Sequence, residues 1–292
     1  MELGRVLRRK IVVLDGAMGT SLIARGNKGV LELLNVEAPE VVEQLHEEYL
    51  QAGADIITTN TTCADALCLK EHGLQERSYE LARAGANLAR RVADKYSTTE
   101  WPRFVAGSVG PTSRNLTLAN DTTAQQLAEC YATVIRGLID GGVDVLLVET
   151  AMDAQNVTIA VEQVRQISQD MPIIVSAVLS RIEGRVASGA TIAKFLEDIP
   201  LSELAAIGFN CTMGDKQLEV ALKSLDQKSK LPIVVYPSLG RVDESPAQFV
   251  KPLDRLCRAG ALNIVGGCCG TTPAHIEQLS RVAARWRPRK TE

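Results

Sequence analysis

Two adjacent cysteines stand inside a glycine cluster, Gly266-Gly267-Cys268-Cys269-Gly270-Thr271, and a third closes Gly208-Phe209-Asn210-Cys211, 57 residues upstream of the pair. Each segment follows a short apolar run. Three thiols brought together at strand ends form a soft, zinc-type site with one coordination position open, which points to chemistry on sulfur. Adjacent residues on a regular strand face opposite ways, so Cys268 and Cys269 can share one metal only where the strand has ended and the backbone turns. Gly266, Gly267 and Gly270 give the chain that freedom. Two plainer readings compete. Cysteines are common in cores, but a small hydrophobe has no reason to come as a pair within a glycine cluster. A vicinal disulfide carries ring strain and needs an oxidising compartment. Cys63, Cys68, Cys130 and Cys257 have no such setting and read as packed residues.

Other polar residues also close apolar runs: Asp15 in Leu14-Asp15-Gly16-Ala17-Met18-Gly19-Thr20, Asn60, Glu149 in Val148-Glu149-Thr150, and Ser238. A buried carboxylate needs a cation or donors, and no basic residue is placed near Asp15 or Glu149 by sequence. A substrate ammonium would satisfy both; the competing role is capping of the following loop or helix. Backbone N–H groups of the Gly16–Gly19 loop could meet a substrate carboxylate. Asp153 and Asn156 read as a helix start. None of the three histidines, His46, His72 and His275, ends a strand; all three fall in helical patterns. No strand-end lysine is present for Schiff-base chemistry, and no P-loop or dinucleotide fingerprint occurs. A phosphate site at Gly266-Gly267 is opposed by the neighbouring thiolates.

The elements that must position these residues recur along the whole chain. Continuous β-branched runs at 11–14, 55–59, 104–107, 145–148, 173–176, 206–209, 233–236 and 262–265 have the look of parallel strands buried on both faces. Between them lie amphipathic patterns. Pro39 to Ala52 places Val41, Val42, Leu45 and Tyr49 on one stripe, with Gly53 beyond its end. Ala124 to Asp140 does the same with Leu127, Tyr131, Val134, Ile135 and Leu138. Thr272-Pro273 reads as an N-cap and a first-turn proline. Eight strand–helix alternations predict a (β/α)8 barrel, with a doubly wound open sheet as the structural alternative. No linker divides the 292 residues, so one domain spanning 1–292 is expected, with about 285–292 as a solvated tail or linker remnant.

Composition narrows the function further. A formal net charge of −3 gives no basic surface for nucleic acid or anionic membrane, and no run reaches the roughly 20 apolar residues of a transmembrane helix. The run after Arg8-Arg9-Lys10 is too short for a signal peptide. Seven cysteines, an odd number, fit a reducing cytoplasm better than a disulfide framework.

The chain resembles the homocysteine S-methyltransferases, and most closely the homocysteine-binding module at the N-terminus of cobalamin-dependent methionine synthase. The resemblance covers nearly the whole chain and rests on 15–20, 52–57, Asn60-Thr61, Gly110-Pro111-Thr112, Glu149-Thr150, Ser188-Gly189, 208–211 and, most specifically, Asn263 through Thr272. It implies that Cys211, Cys268 and Cys269 are zinc ligands and that homocysteine binds there as its thiolate. Zinc would lower the thiol pKa below neutrality, which explains the missing histidine. Asp15 and Glu149 would hold the amino group, Gly16 and Ala17 the carboxylate, with Asn60 beside them. The thiolate would then take a methyl group to give methionine.

Gly110-Pro111-Thr112-Ser113-Arg114 looks like the branch that receives its methyl group from methylcobalamin, here on a separate corrinoid domain or protein. S-methylmethionine, S-adenosylmethionine or betaine is the alternative donor. Two departures stand out. Thr62 replaces the family's usual aromatic residue, and Pro237-Ser238-Leu239-Gly240 replaces its Pro-Asn-Ala-Gly. Ser238 thus takes the place of an asparagine able to lend zinc an oxygen. These changes leave open a different acceptor thiol or selenol. A separate, non-enzymatic reading is a structural zinc barrel or thiol-binding module that docks to a partner.

Overall fold

A computed structural model describes residues 3–114, 116, 122–211 and 215–291. Among them, eight parallel strands form one sheet: β1 (Val12–Val13), β2 (Ile56–Thr58), β3 (Phe104–Val109), β4 (Val145–Ala151), β5 (Ile173–Val178), β6 (Ala206–Asn210), β7 (Ile233–Tyr236) and β8 (Ile264–Val265). The hydrogen-bonded order runs β1-β8-β7-β6-β5-β4-β3-β2. Bonds from Asp55 N to Val13 O (2.7 Å) and from Asp15 N to Ile56 O (3.0 Å) join β1 to β2 and close the ring. A helix follows each strand, from Pro39–Gln51 after β1 to Pro273–Ala283 after β8. This is the (β/α)8 barrel expected from the alternation; the open-sheet alternative falls. No described helix is long and apolar enough to cross a membrane.

The helices start and stop where their side chains dictate. Thr123 and Ser245 each form a reciprocal capping box with the glutamine three residues on. Asp153 Oδ1 accepts from Asn156 N at 2.9 Å, the helix-start role expected of it. The stripes Leu45–Tyr49 and Leu127–Leu138 are buried against the barrel, as their spacing requires. His46 lies in the helix Pro39–Gln51 and His275 in the helix Pro273–Ala283. His72 differs from expectation: it sits in a turn after the short helix Ala66–Lys70.

Inside the barrel, side chains alternate in and out with the period of two that strands impose. The inward set at the strand starts is hydrocarbon, with Phe104, Val145, Ile174, Val234 and Ile264 in one buried cluster. The helix Leu3–Leu7 closes this end by packing Leu3, Val6 and Leu7 into the same cluster. The inward positions at the strand ends are polar: Thr58, Ser108, Ser176 and Asn210, all buried. The interior therefore changes from oil to hydrogen-bonding groups along its axis, and the polar end is where the strands stop.

The tail differs from the solvated end suggested by sequence. Arg289 is 8% exposed and binds Leu231 O (3.0 Å) and Asp226, while its backbone N–H donates to Leu262 O (3.0 Å). Trp286 Nε1 donates to Asp254 at 2.8 Å. The carbonyls beneath β7 need donors, and a guanidinium with five N–H groups supplies them, while the backbone N–H serves the carbonyl beneath β8.

Candidate active site

The double-cysteine turn begins where β8 ends and is stitched to three neighbouring segments. Gly267 N donates to Asp15 O, Cys268 N to Pro237 O, Gly270 N to Thr20 Oγ1, and Cys269 O accepts from Leu239 N, all within 2.9–3.0 Å. Gly270 has φ +83°, and a Cβ on Gly267 would come within 2.4 Å of Thr271 Oγ1. Glycine is needed at both positions for different reasons, one conformational and one steric. Cys211 follows β6 with φ 52°, a left-handed backbone uncommon in residues other than glycine.

These segments bring the three predicted thiols together. Cys211 Sγ lies 2.8 Å from Cys268 Sγ and 4.0 Å from Cys269 Sγ, and Cys268 and Cys269 are 3.9 Å apart. Tetrahedral thiolate ligation at about 2.3 Å per bond places sulfurs about 3.8 Å apart. Two of the three separations already fit, and the third has to open by about 1 Å. All seven cysteines are free thiols. Ser238 stands near Cys211 and Cys269 and its hydroxyl favours ionisation of each. The hydrogen bonds that Cys211 and Cys268 direct at Cys269 hold its thiol far below the ordinary range. For Cys268 the same contacts, with burial, push the proton affinity up. Cys211 gains a lowering hydrogen bond from Cys268, but its contact with Cys269 and its burial bring it to about 11. Within the cluster the neighbouring thiols thus favour Cys269 as the ionised member, and Cys211 and Cys268 hold their protons more tightly.

The thiols line a cavity of about 380 Å³ that also exposes Asp15, Asn60, Thr62 and Glu149. Thr58 binds Asp15 through its amide N (2.7 Å) and its hydroxyl (3.0 Å). Glu149 sits at a register shift in β4 that turns it into the cavity. Its two oxygens accept from Ser108 and from Tyr236 Oη (3.2 Å), and Thr62 Oγ1 is 2.8 Å from Ser108 Oγ. Burial raises both carboxyl groups above their usual range; hydrogen bonds from Thr58, and from Ser108 and Tyr236, oppose the rise. The charge of Glu149 raises Asp15 further. No described Lys, Arg or His lines the cavity. A cation entering such a pocket would favour the ionised form of both carboxyl groups.

Other expected residues are placed less simply. The Ala17 N–H, expected to be open to a ligand carboxylate, donates to Thr271 Oγ1 at 3.1 Å. Gly16 stays at the cavity wall, packed so closely on Tyr49 and Thr271 that a Cβ there would lie 2.8 Å from each. Asn60 commits its side-chain nitrogen to Leu31 O (2.8 Å) and Asn35 Oδ1 (3.0 Å), holding the 31–35 segment over the pocket. Cys63, expected to be packed, is exposed at the cavity rim.

The sequence reading missed Thr58, Ser108, Asn210, Tyr236 and Glu32. The first four follow from inward parity, each two residues beyond an apolar inward residue or, for Asn210, beyond Gly208. Glu32 had no such signal. It is a 7%-exposed carboxylate on the 31–33 turn that accepts from Cys63 N at 2.9 Å and borders the cavity, and burial raises its pKa.

Residues 12–283 match the profile of the family described as homocysteine S-methyltransferase. Among solved structures, the metallated form of the Escherichia coli homocysteine methyltransferase MmuM shares 26% identity, with a TM-score of 0.80 over 96% of this chain and 98% of that one. Its oxidised form shares 27%, with a TM-score of 0.77 over 93% and 95%. Its apo form shares 26%, with a TM-score of 0.72 over 94% and 97%.

Proposed function

The chain belongs to the homocysteine S-methyltransferase family, and on that footing we propose how its residues divide the work of methyl transfer. It is a methyltransferase with homocysteine as the acceptor. In our reading Cys211, Cys268 and Cys269 would hold a zinc ion at the cavity wall, and Ser238 would lend it an oxygen when no acceptor is bound. Zinc there supplies the Lewis acidity that keeps a neighbouring thiol ionised near neutral pH. The metallated state of the similar Escherichia coli enzyme supports this assignment.

Asp15 and Glu149 take the acceptor's ammonium, and the backbone at Gly16 borders its carboxylate. Thr58, Ser108 and Tyr236 hold the two side-chain carboxylates in place before the acceptor arrives. Met18, Ile23 and Leu31 add apolar wall to the same cavity. The sulfur, its proton lost to solvent, attacks the methyl carbon in line. The new S–C bond forms as the bond from donor to carbon breaks, and the donor leaves with that electron pair. Positioning accounts for much of such a rate.

The donor in this reading is methylcobalamin on a separate domain or protein, supported by the Gly110-Pro111-Thr112-Ser113-Arg114 segment. Seven free thiols support a reducing compartment such as the cytoplasm. The observation that carries the proposal is the meeting of three thiols and two carboxylates in one cavity whose described lining has no basic side chain. The test is zinc content, followed by incubation with homocysteine and methylcobalamin. Methionine formed in proportion to bound zinc is expected; zinc-loaded protein that makes none with any donor ends the reading.

Glu32 favours a second reading of the donor. With zinc and an ammonium in place, it would remain a buried carboxylate at the cavity wall. A donor bearing its own positive charge, a sulfonium or quaternary ammonium, would answer it.

A further inference from the structure

Two backbone outliers and one buried amide lie together behind the thiols. Among described residues other than glycine, positive φ occurs at Thr150 (57°) and Cys211 (52°). Thr150 follows the carboxylate Glu149, and Cys211 carries a thiol of the cluster. A β-branched residue rarely adopts this conformation unless its surroundings hold it there.

Asn210 touches both. It is fully buried, and its Oδ1 accepts from Thr150 N (3.0 Å) and Ser176 Oγ (2.8 Å). Its Nδ2 donates to Thr150 Oγ1 at 2.9 Å and lies 3.7 Å from Cys211 Sγ and 3.9 Å from Cys268 Sγ. A carboxamide can do this because it offers an acceptor and two N–H donors in one plane. Neither a carboxylate nor an aliphatic side chain of that size can.

We propose that Asn210 is a positioning residue that couples the thiol site to the Glu149–Thr150 segment, so that sulfur geometry and acceptor binding depend on one side chain. The inference rests on the zinc reading above. One face of the amide holds Thr150 in its left-handed conformation and so aims Glu149 into the cavity. The one N–H not given to Thr150 faces the two sulfurs and limits how they turn. Any shift of Thr150 reaches Cys211 through this amide.

Cobalt(II) in place of zinc reports the sulfur geometry through its thiolate charge-transfer bands. Zinc affinity by chelator competition and homocysteine binding by calorimetry report the two sites. Thermal unfolding of the metal-free protein reports the fold. Asn210→Ala is expected to shift the cobalt bands, weaken zinc roughly 10- to 100-fold and weaken homocysteine binding. Thr150→Ala, which removes the hydroxyl that accepts from Asn210 Nδ2, is expected to shift the same bands, and Thr150→Ser to restore them. A purely structural role would lower the unfolding temperature and leave the bands in place.

If Asn210→Ala does not fold, the Thr150 pair decides. A loaded parent whose cobalt spectrum and zinc affinity are matched by the folded variants overturns this inference alone. A parent that takes up no metal overturns the zinc reading and this inference with it.

Discussion

Tyr236 on β7 donates its phenolic hydrogen to Glu149 on β4, 3.2 Å away across the mouth of the barrel. Burial keeps the phenol protonated well past its ordinary range, so it serves as a fixed donor and never competes as an anion. With Ser108 on the other oxygen, the Glu149 carboxylate is oriented before any ligand enters.

Replacing Tyr236 by Phe leaves that oxygen unpartnered, at a cost of about 1–3 kcal/mol to whatever depends on it. The expected result is a raised KM for homocysteine and little change for an analogue lacking the amino group. The pH dependence should move too. Ammonium binding is complete above the Glu149 pKa and fades as pH falls through it. Tyr236 favours the ionised form, so its loss shifts the acid limb of kcat/KM to higher pH.

Cys269→Ser should abolish stoichiometric zinc and activity together. Loss of a direct ligand ought to exceed the roughly 10- to 100-fold that an outer hydrogen bond is worth. Metal analysis beside a turnover assay checks this, and a serine variant that retains zinc and full turnover would remove Cys269 from the site.

Glu32→Gln separates the two donor readings. If the donor is an onium compound, which has no proton to donate and meets the carboxylate through charge alone, losing that charge forfeits about 1–4 kcal/mol of attraction and should raise its KM on the order of tenfold or more. If the donor is methylcobalamin, the variant should match the parent. Initial rates with each donor at saturating homocysteine give the answer.

His46 supplies a stability test away from the site. It is fully buried with both ring nitrogens unpartnered, and burial lowers its pKa from 6.5 to about 4. The unfolded chain binds the proton first, so stability falls as pH drops below about 6.5 and goes on falling towards 4. At about 1.4 kcal/mol per unit, pH 5 should cost about 2 kcal/mol relative to pH 7.5. His46→Leu should lose this component, read as a smaller shift in urea midpoint between the two pH values.

Much of the architecture was legible because a strand buried on both faces must be continuously apolar, and Val145–Val148 or Ile233–Tyr236 can be little else. The thiol site was legible because the pair at Cys268 and Cys269 has no packing reason to exist. Tyr236 and Asn210 were harder to see. Each closes an apolar run, and only the inward parity set by Val234 or Ala206 shows that its polar group enters the cavity. Glu32 and the engagement of Ala17 with Thr271 depend on contacts between distant segments that no local pattern encodes. Arg289 is of the same kind: a basic tail residue reads as solvated until the carbonyl it serves is known.

The helix Leu3–Leu7 and the anchored Arg289 both lie beneath the strand starts, and Thr291 shares a cleft there with Leu3 and Gly4. Both ends of the described chain thus emerge on the side facing away from the thiols. A tether fixed to either end must travel the full height of the barrel, about 20 Å for six residues of strand, before its cargo can face the sulfur. A surface or affinity tag joined at either end would leave the reacting side turned towards solution.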